Sequence, residues 1–340
     1  MSSALLALSV LVLAIVITGA ARRYALARSL VDQPNERSSH QVPTPRGGGV
    51  AIVIAFCVAL TWLWADGAVA ADSTIALIGA GGWVALVGFV DDHRHIPARW
   101  RLVAHFLAAA WALVWIGGLP PLVVLGTELR LGWFGHVAAA VLLVWLLNLY
   151  NFMDGIDAIA GIEGVTVALA GAALWSLSTG GSSDALVPTL LAAATAGFLC
   201  WNLPPARIFM GDAGSGFLGL VFAVFAIWSA HANPSLFWSW LILLGVFVVD
   251  ATVTLVRRVL RGERFYDAHR SHAYQYAARR FGQHRIVSLA VGAINLIWLL
   301  PIAALVAAGK LEGLIGLLIA YTPLVWLAFR YKAGGKDVQV

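Results

Sequence analysis

The sequence predicts an all-α polytopic integral membrane protein with about eleven transmembrane helices, and three observations carry that prediction. Of its 340 residues, 61% are hydrophobic and only 11% charged, with a mean hydropathy of +0.85. A soluble domain with that balance could not cover its surface with polar groups. Apolar stretches recur along the whole chain at about the 20-residue length that crosses a bilayer. The basic residues also sort to alternate connections between those stretches, as the positive-inside rule requires.

The expected spans are 4–21, 47–65, 74–91, 102–118, 135–151, 160–178, 185–202, 214–230, 234–256, 286–308 and 313–331. Each is read as a helix, because lipid tolerates no unpaired backbone. The first has no basic residue before it, whereas Arg22, Arg23 and Arg28 follow it. That order fits a retained first span with its N-terminus outside, and not a cleaved signal. Between the fourth and fifth spans, Val123 to Leu131 alternates around Gly126 and Thr127, as a small hairpin would. Cys57 and Cys200 both sit in apolar runs and offer neither a disulfide framework nor metal-ligand spacing.

Eleven spans and an outside N-terminus put the C-terminus and the loops 22–46, 92–101, 152–159, 203–213 and 257–285 in the cytoplasm. Those segments and the span ends facing them hold 20 of the 22 Lys and Arg, leaving Arg130 and Lys310 outside. No repeat or soluble domain interrupts the chain, so residues 1–340 read as one membrane domain with its site in these loops. The span middles carry no ionisable residue, against what a transporter pathway requires.

The stretch around which the rest is organised is Trp145 to Gly161, where an apolar helix ends in Asn148, Asn151, Asp154 and Asp157. Spacing by three places side chains on neighbouring positions of one helical face. Two amides and two carboxylates there fit a cation, a polar ligand, or a capped helix–loop–helix junction. Span 3 ends in Asp91 and Asp92, followed by His93, Arg94, His95, Arg99 and Arg101. Adjacent carboxylates repel unless a cation or bases compensate them, and acids among bases suit phosphate and Mg²⁺. Asp212 sits between glycines just before span 8, with Ser215 after it and Arg207 before it.

The first cytoplasmic loop carries Pro43, Pro45 and Arg46 before Gly47 to Gly49, an open backbone that could form an anion-facing turn. Asp250 ends span 9, and the loop after it holds His269 and His272 among Arg264, Arg270, Arg279 and Arg280. Two histidines lack the further ligands of a zinc site and read as anion contacts. Acids at four places, basic loops and glycine turns on one membrane face point to Mg²⁺-assisted phosphoryl chemistry, with one substrate in the cytoplasm and one in the membrane.

Asp91-Asp92, Asn148-x-x-Asn151-x-x-Asp154-Gly-Ile-Asp157, Phe209-Met-Gly-Asp-x-Gly-Ser215 and the His269/His272 loop, in this order, resemble the bacterial polyprenyl-phosphate N-acetylhexosamine-1-phosphate transferases. These are relatives of phospho-MurNAc-pentapeptide translocase and of the enzyme that starts enterobacterial common antigen. The likeness covers about residues 30–280, and the last part of the sequence most resembles the O-antigen and capsule-initiating subgroup. The resemblance implies a Mg²⁺-dependent phosphoglycosyl transferase of the bacterial inner membrane, with Mn²⁺ as a substitute metal. Sugar-1-phosphate would pass from a UDP-N-acetyl sugar to undecaprenyl phosphate, releasing UMP.

By motif position, the resemblance makes Asp212 the principal metal ligand with Asn151 beside it, and Asp91 and Asp92 the acidic pair for lipid phosphate and metal. Asn202, Phe209 and Asp157 resemble positions around the uridine, with Phe209 able to stack on uracil. Ser215, Arg99 and His272 resemble diphosphate or sugar contacts. Asn148, Asp154 and His269 complete the substrate-binding set, and Asp91, Asp92, Asp212 and His272 the catalytic one. Where relatives carry successive histidines, this chain has His272-Ala-Tyr-Gln275, and where they carry Lys after the acidic pair it has Arg101.

A phosphate monoester has a second pKa near 6 and is largely a dianion at neutral pH, so positioning and charge neutralisation should outweigh proton abstraction. Expected partners are the two substrates and membrane lipid, with a homodimer allowed for and no nucleic acid. Two rivals share some of these features: a metal-dependent polyprenyl-diphosphate phosphatase, which needs no nucleotide pocket, and an anion transporter, which needs polar residues deep in the spans.

Overall fold

The computed structural model describes residues 2–34, 42–94, 96–263 and 269–335. His95 and Arg264, both within the motifs above, lie outside the described residues. Apolar helices follow one another from end to end, as the hydropathy requires.

The first half runs α1 (Ser3–Ala27), α2 (Val50–Ala65), α3 (Ala71–His93), α4 (Ala98–Ile116), α5 (Gly132–Met153), α6 (Ile159–Thr179) and α7 (Leu186–Asn202). Then come α8 (Asp212–Ala232), α9 (Ser235–Leu243), α10 (Gly245–Leu260), α11 (Ala273–Phe281), α12 (His284–Ile294), α13 (Leu300–Ala307) and α14 (Gly313–Arg330). Among the described residues, eight helices are long and apolar enough to cross a membrane, or nine if α9 and α10 count as one. Every expected span coincides with a helix, but α2, at 16 residues, is shorter than that length, and α4 is not among the eight.

The straight span expected over 234–256 is instead broken, with α9 and α10 bent by 70° at Leu244. The break leaves the Leu241 carbonyl without its partner four residues on, and the Tyr321 hydroxyl of α14 donates to it at 2.7 Å. A neighbouring helix thus supplies the bond that lipid cannot. Gly245 lets α14 close on the bend, because a Cβ there would lie 3.0 Å from the Tyr321 ring.

α8 is the central rod, with 94% of its apolar window buried. Small residues let its neighbours reach its backbone, the packing mode of membrane helices. A Cβ at Gly219 would sit 2.6 Å from the Leu146 carbonyl of α5, and one at Gly88 of α3 only 2.5 Å from the Ala213 amide. The expected hairpin is present as β3 (Leu122–Val124) paired antiparallel with β4 (Thr127–Leu129), after a shorter ribbon of β1 (Val31–Asp32) and β2 (Thr44–Pro45). Its turn falls one residue earlier than the sequence indicated, on Leu125 and Gly126, both at positive φ as a two-residue hairpin turn demands.

Glu163 is fully buried one turn into α6. It accepts from Asn295 at 2.7 Å, where the helix loosens into a π-turn (Asn295–Leu299) between α12 and α13. This is a pair of polar residues inside the bundle that the sequence reading had left out of account.

Candidate active site

α8 begins at Asp212 because Gly211, at φ +75°, turns the chain into it. Three chain ends meet there. The glycines before α2 pair with the strand-like segment before α8: the Gly48 and Gly49 amides donate to the Phe209 and Met210 carbonyls at 2.9 and 2.8 Å. Gly49 and Gly214 then touch backbone to backbone, since a Cβ at Gly49 would lie 2.4 Å from the Gly214 Cα. These amides are therefore occupied. The glycine turn serves close packing, and the anion-facing role expected of it does not hold for Gly48 and Gly49.

The acids converge on the α8 N-terminus. Asp91 accepts from the Ile96 amide at 2.6 Å and from Arg101 Nη1 at 2.5 Å. Arg101 also reaches Asp212 Oδ2 at 3.5 Å. Arg101 thus bridges the Asp91 and Asp212 carboxyl groups. Asp92, 6% exposed, faces the first backbone amides of α8, and its Oδ2 is buried against Gly211 without a well-formed hydrogen bond. Arg46 donates to the Asp92 carbonyl and holds its Nε 3.9 Å from Oδ1. On the far side, Asn151 Nδ2 donates to Asp212 Oδ1 and to Ser215 Oγ, each at 2.9 Å.

The expected helical face from Asn148 to Asp157 does not continue. α5 stops at Met153, and Ala158 takes a positive φ of 66° to start α6. Asn151 and Asp154 stay near the acids, and Asn148 turns its amide back onto the Val144 carbonyl. Burial of the Asp154 carboxyl, together with the charges of Asp212, Asp92 and Asp157, holds it well above the usual carboxylate range.

Asn202 and Asp157, both expected near uridine, also brace the loops around the site. Asn202 is buried, accepting from the Ala158 amide and donating to the Ile208 carbonyl, both at 2.9 Å. Asp157 accepts from the Ala206 amide at 3.0 Å and faces His284 at 3.3 Å. Phe209 is half-buried on the same segment. Arg99 is exposed, with its guanidinium 5.8 Å from the Trp100 ring, and Arg101 takes the place among the acids.

His269, His272 and Tyr274 form a stack, with ring centroids 4.9 and 5.6 Å apart. Tyr274 Oη donates to the Phe152 carbonyl at 3.0 Å across Gly155, which docks this loop beside Asp154. The residue that holds it there is Asp250, outside the expected set. It accepts from the Ala273 and Tyr274 amides, both at 2.9 Å, and lies 3.4 Å from His272 Nδ1. Its sequence signal was an aspartate at a span end, which is costly without partners. Arg46 and Arg101 likewise could have been foreseen, each lying near an acid or a glycine motif.

The residues fit a divalent cation carried mainly by phosphate. Two carboxylates sharing one arginine and a third with an orphaned oxygen call for a proton or a cation. Among the described residues, no group of three or more His, Cys, Asp or Glu could cage a metal unaided. A divalent cation such as Mg²⁺ needs only one or two carboxylates and completes its shell with substrate phosphate and water.

Fold and site thus define a polytopic α-helical membrane protein with an acid- and arginine-lined site at one end of its bundle. Residues 74–230 match the model of glycosyl transferase family 4. A Bacillus subtilis protein described as a probable undecaprenyl-phosphate N-acetylglucosaminyl 1-phosphate transferase is 29% identical over 84% of this chain and 79% of its own length. The decaprenyl-phosphate N-acetylglucosaminephosphotransferase of Mycobacterium tuberculosis (strain ATCC 25618 / H37Rv) is 27% identical over 85% and 78%. The phospho-N-acetylmuramoyl-pentapeptide-transferase of Moorella thermoacetica is 34% identical over 54% and 61%. The chain is therefore similar to glycosyl transferase family 4 over residues 74–230, and to these transferases over most of its length.

Proposed function

We propose that the protein transfers an N-acetylhexosamine-1-phosphate from a UDP-sugar to undecaprenyl phosphate, giving UMP and the first lipid-linked intermediate of a cell-surface polysaccharide. The observation that carries this is the meeting of Asp91, Asp92 and Asp212 with Arg101 and Arg46 at the α8 N-terminus, at the end of an apolar bundle. The names of the relatives support the acceptor and the sugar class. Tyr24 of α1 reaches His93, and Gly334 after α14 donates to the Ser271 carbonyl, so the C-terminal ends of α1 and α14 both lie at the site end. That arrangement supports an odd number of crossings, as eleven is, with the site and C-terminus on the cytoplasmic side of the bacterial inner membrane.

In the reaction, an oxygen of the lipid phosphate attacks the phosphorus attached to the sugar. The bond to UMP breaks as the new diphosphate bond forms. Arg101 and Arg46 neutralise the phosphate charge, and the α8 N-terminus adds its positive end. Asp212 with Asn151 would hold Mg²⁺, Asn151 turning its amide oxygen inward, and the metal would supply charge neutralisation to the diphosphate. Asp91, already engaged by Arg101 and the Ile96 amide, positions the arginine. Asp92 is the acid whose orphaned oxygen is available to metal or phosphate. Ser215, Phe209, Asp154 and the His269/His272 loop border the donor, with Asn202 and Asp157 fixing the walls.

The test is UMP release by the purified protein with undecaprenyl phosphate, Mg²⁺ and a panel of UDP-N-acetyl sugars. Release with one donor, lost in Asp212→Asn and on chelation, is expected. Folded protein that releases no UMP from any donor would refute the reading.

A further inference from the structure

The loop that carries His269 and His272 is fixed at successive residues. The Arg270 carbonyl accepts from Arg279 of α11 at 3.1 Å, and the Ala273 and Tyr274 amides are taken by Asp250. Between them, the Ser271 carbonyl accepts from the Gly334 amide at 2.6 Å. Gly334 belongs to the segment that follows α14, and that segment is itself pinned. Arg257 and Arg261 of α10 donate to the Ala333 and Gly334 carbonyls, and Ala333 is fully buried. Gly334, at φ +63°, lies so close to α10 that a Cβ would sit 2.8 Å from the Thr254 carbonyl. The Ser271 backbone therefore has little freedom, although it lies outside any helix.

From that fixed backbone the Ser271 side chain reaches back two residues. Its hydroxyl lies 3.0 Å from His269 Nδ1, and its amide donates to the same nitrogen at 3.4 Å. A backbone amide can only donate, so Nδ1 presents its lone pair, and the hydroxyl then donates to it as well. The bond made at one ring nitrogen decides the state of the other, which leaves the proton of the neutral imidazole on Nε2. Helix capping does not account for this hydroxyl, because α11 is capped by His272 and Gln275.

We propose that Ser271, held by Gly334, is a positioning residue for the transfer: it keeps His269 in the tautomer with its proton on Nε2, so that the ring offers an N–H to a phosphate oxygen of the UDP-sugar. The proposal rests on the transferase reading above and deepens it, giving His269 a chemical role and bringing the segment after α14 into the working site. An N–H aimed at the diphosphate neutralises part of its developing charge, and an orientation set in advance costs no reorganisation during the reaction. The His272 ring, stacked with its centroid 4.9 Å away, covers one face of the His269 ring and limits its rotation.

The first experiment reads the tautomer without turnover, by solid-state nitrogen NMR of the full-length protein in lipid with isotope-labelled histidine. The His269 signals are those lost in His269→Gln. Wild type is expected to show Nε2 protonated and Nδ1 bare, and Ser271→Ala, left with the long amide bond alone, a mixture of tautomers. A proton on Nδ1 in wild type, or an unchanged spectrum in Ser271→Ala, overturns the proposal. The second experiment is steady-state kinetics of UMP release. Ser271→Ala should lower kcat about tenfold, the scale of one oriented hydrogen bond, with KM for the lipid phosphate unmoved. Ser271→Thr, which keeps the hydroxyl, should recover most of that loss, whereas a role in packing alone would favour the smaller alanine. Gly334→Ala should also lower kcat, and the double variant should be no slower than Ser271→Ala, because both act through one ring. Effects that multiply, or full kcat in Ser271→Ala, overturn the proposal. Wild type that releases no UMP would instead count against the transferase reading, and the spectrum would still decide the tautomer.

Discussion

Removing the Asp250 carboxylate should loosen α11 and the His269/His272 stack without unfolding the bundle. Asp250 takes two backbone amides, Ala273 and Tyr274, at 2.9 Å each, and nothing else described bonds them. Hydrogen bonds to a charged group contribute about 1.5–3 kcal/mol each, and a lost helix cap costs about 1 kcal/mol. The capping box between His272 and Gln275 survives the change and retains part of the helix end. The net local cost in Asp250→Ala is therefore about 3 kcal/mol, or about two orders of magnitude in the opening equilibrium of this segment. Hydrogen exchange read by mass spectrometry on peptides covering 269–281 should accelerate by that factor, with α8 peptides unchanged. UMP release should fall in parallel, and Asp250→Asn, which keeps one acceptor, should lie between. Unchanged exchange in a folded Asp250→Ala protein would refute the positioning role. Faster exchange with full activity would remove the stack from the working site.

Arg101→Ala takes the guanidinium from between Asp91 and Asp212, and UMP release should fall by roughly two orders of magnitude, the scale of losing one oriented charge donor. Arg101→Lys should recover only part of this, since an ammonium cannot fork to two carboxylates. Gly49→Ala forces a Cβ to 2.4 Å from the Gly214 Cα, and should cost about 1–3 kcal/mol in thermal unfolding and impair transfer. Gly82→Ala, with nothing within 4 Å, should not destabilise. Ala158→Gly relieves a non-glycine residue at φ +66°, and should stabilise by about 1 kcal/mol or less after the unfolded-chain entropy is counted, read as a small rise in Tm.

The sequence showed the bundle because hydropathy and basic-residue placement are long, redundant signals. Every expected span coincides with a helix. The 70° bend at Leu244 was not legible, because residues 240–249 around it are apolar throughout. The bond that the bend leaves open at the Leu241 carbonyl is supplied by the hydroxyl of Tyr321, 80 residues away in sequence. The acids were legible as singular polar residues at span ends. Their partners were not, since a hydrogen bond between Asn202 and the Ala158 amide leaves no trace in local spacing. Asn202 and Asp157, assigned to the substrate by motif position, also tie the 154–158 loop to the 203–209 segment. Arg46 stands beside a legible glycine motif, but it is its side chain that meets the acids, because the Gly48 and Gly49 amides are occupied by the Phe209 and Met210 carbonyls.

The polarity of the helix ends makes the acid cluster a demanding arrangement, and that demand is what ties it to function. Asp91 and Asp92 lie at the C-terminal end of α3, where the helix dipole already disfavours negative charge. A fold selected for stability alone would place lysine or arginine there. Three devices offset the cost. Arg101 arrives from the first turn of α4, where a cation is itself unfavourable, and Arg46 arrives from the turn before α2. The third is the α8 N-terminus, pressed against α3 through Gly88 so closely that no side chain fits between them. Each element meets another at its electrostatically wrong end, and the mismatches cancel only in the assembled site. The cancellation is incomplete at Asp92, whose Oδ2 stays without a well-formed bond. A bound cation with its phosphate would complete it. Substrate and metal should therefore stabilise the helix ends around Asp212 more than the bundle as a whole, and exchange protection gained at residues 88–93 and 211–216 on adding Mg²⁺ and UDP-sugar would register that difference.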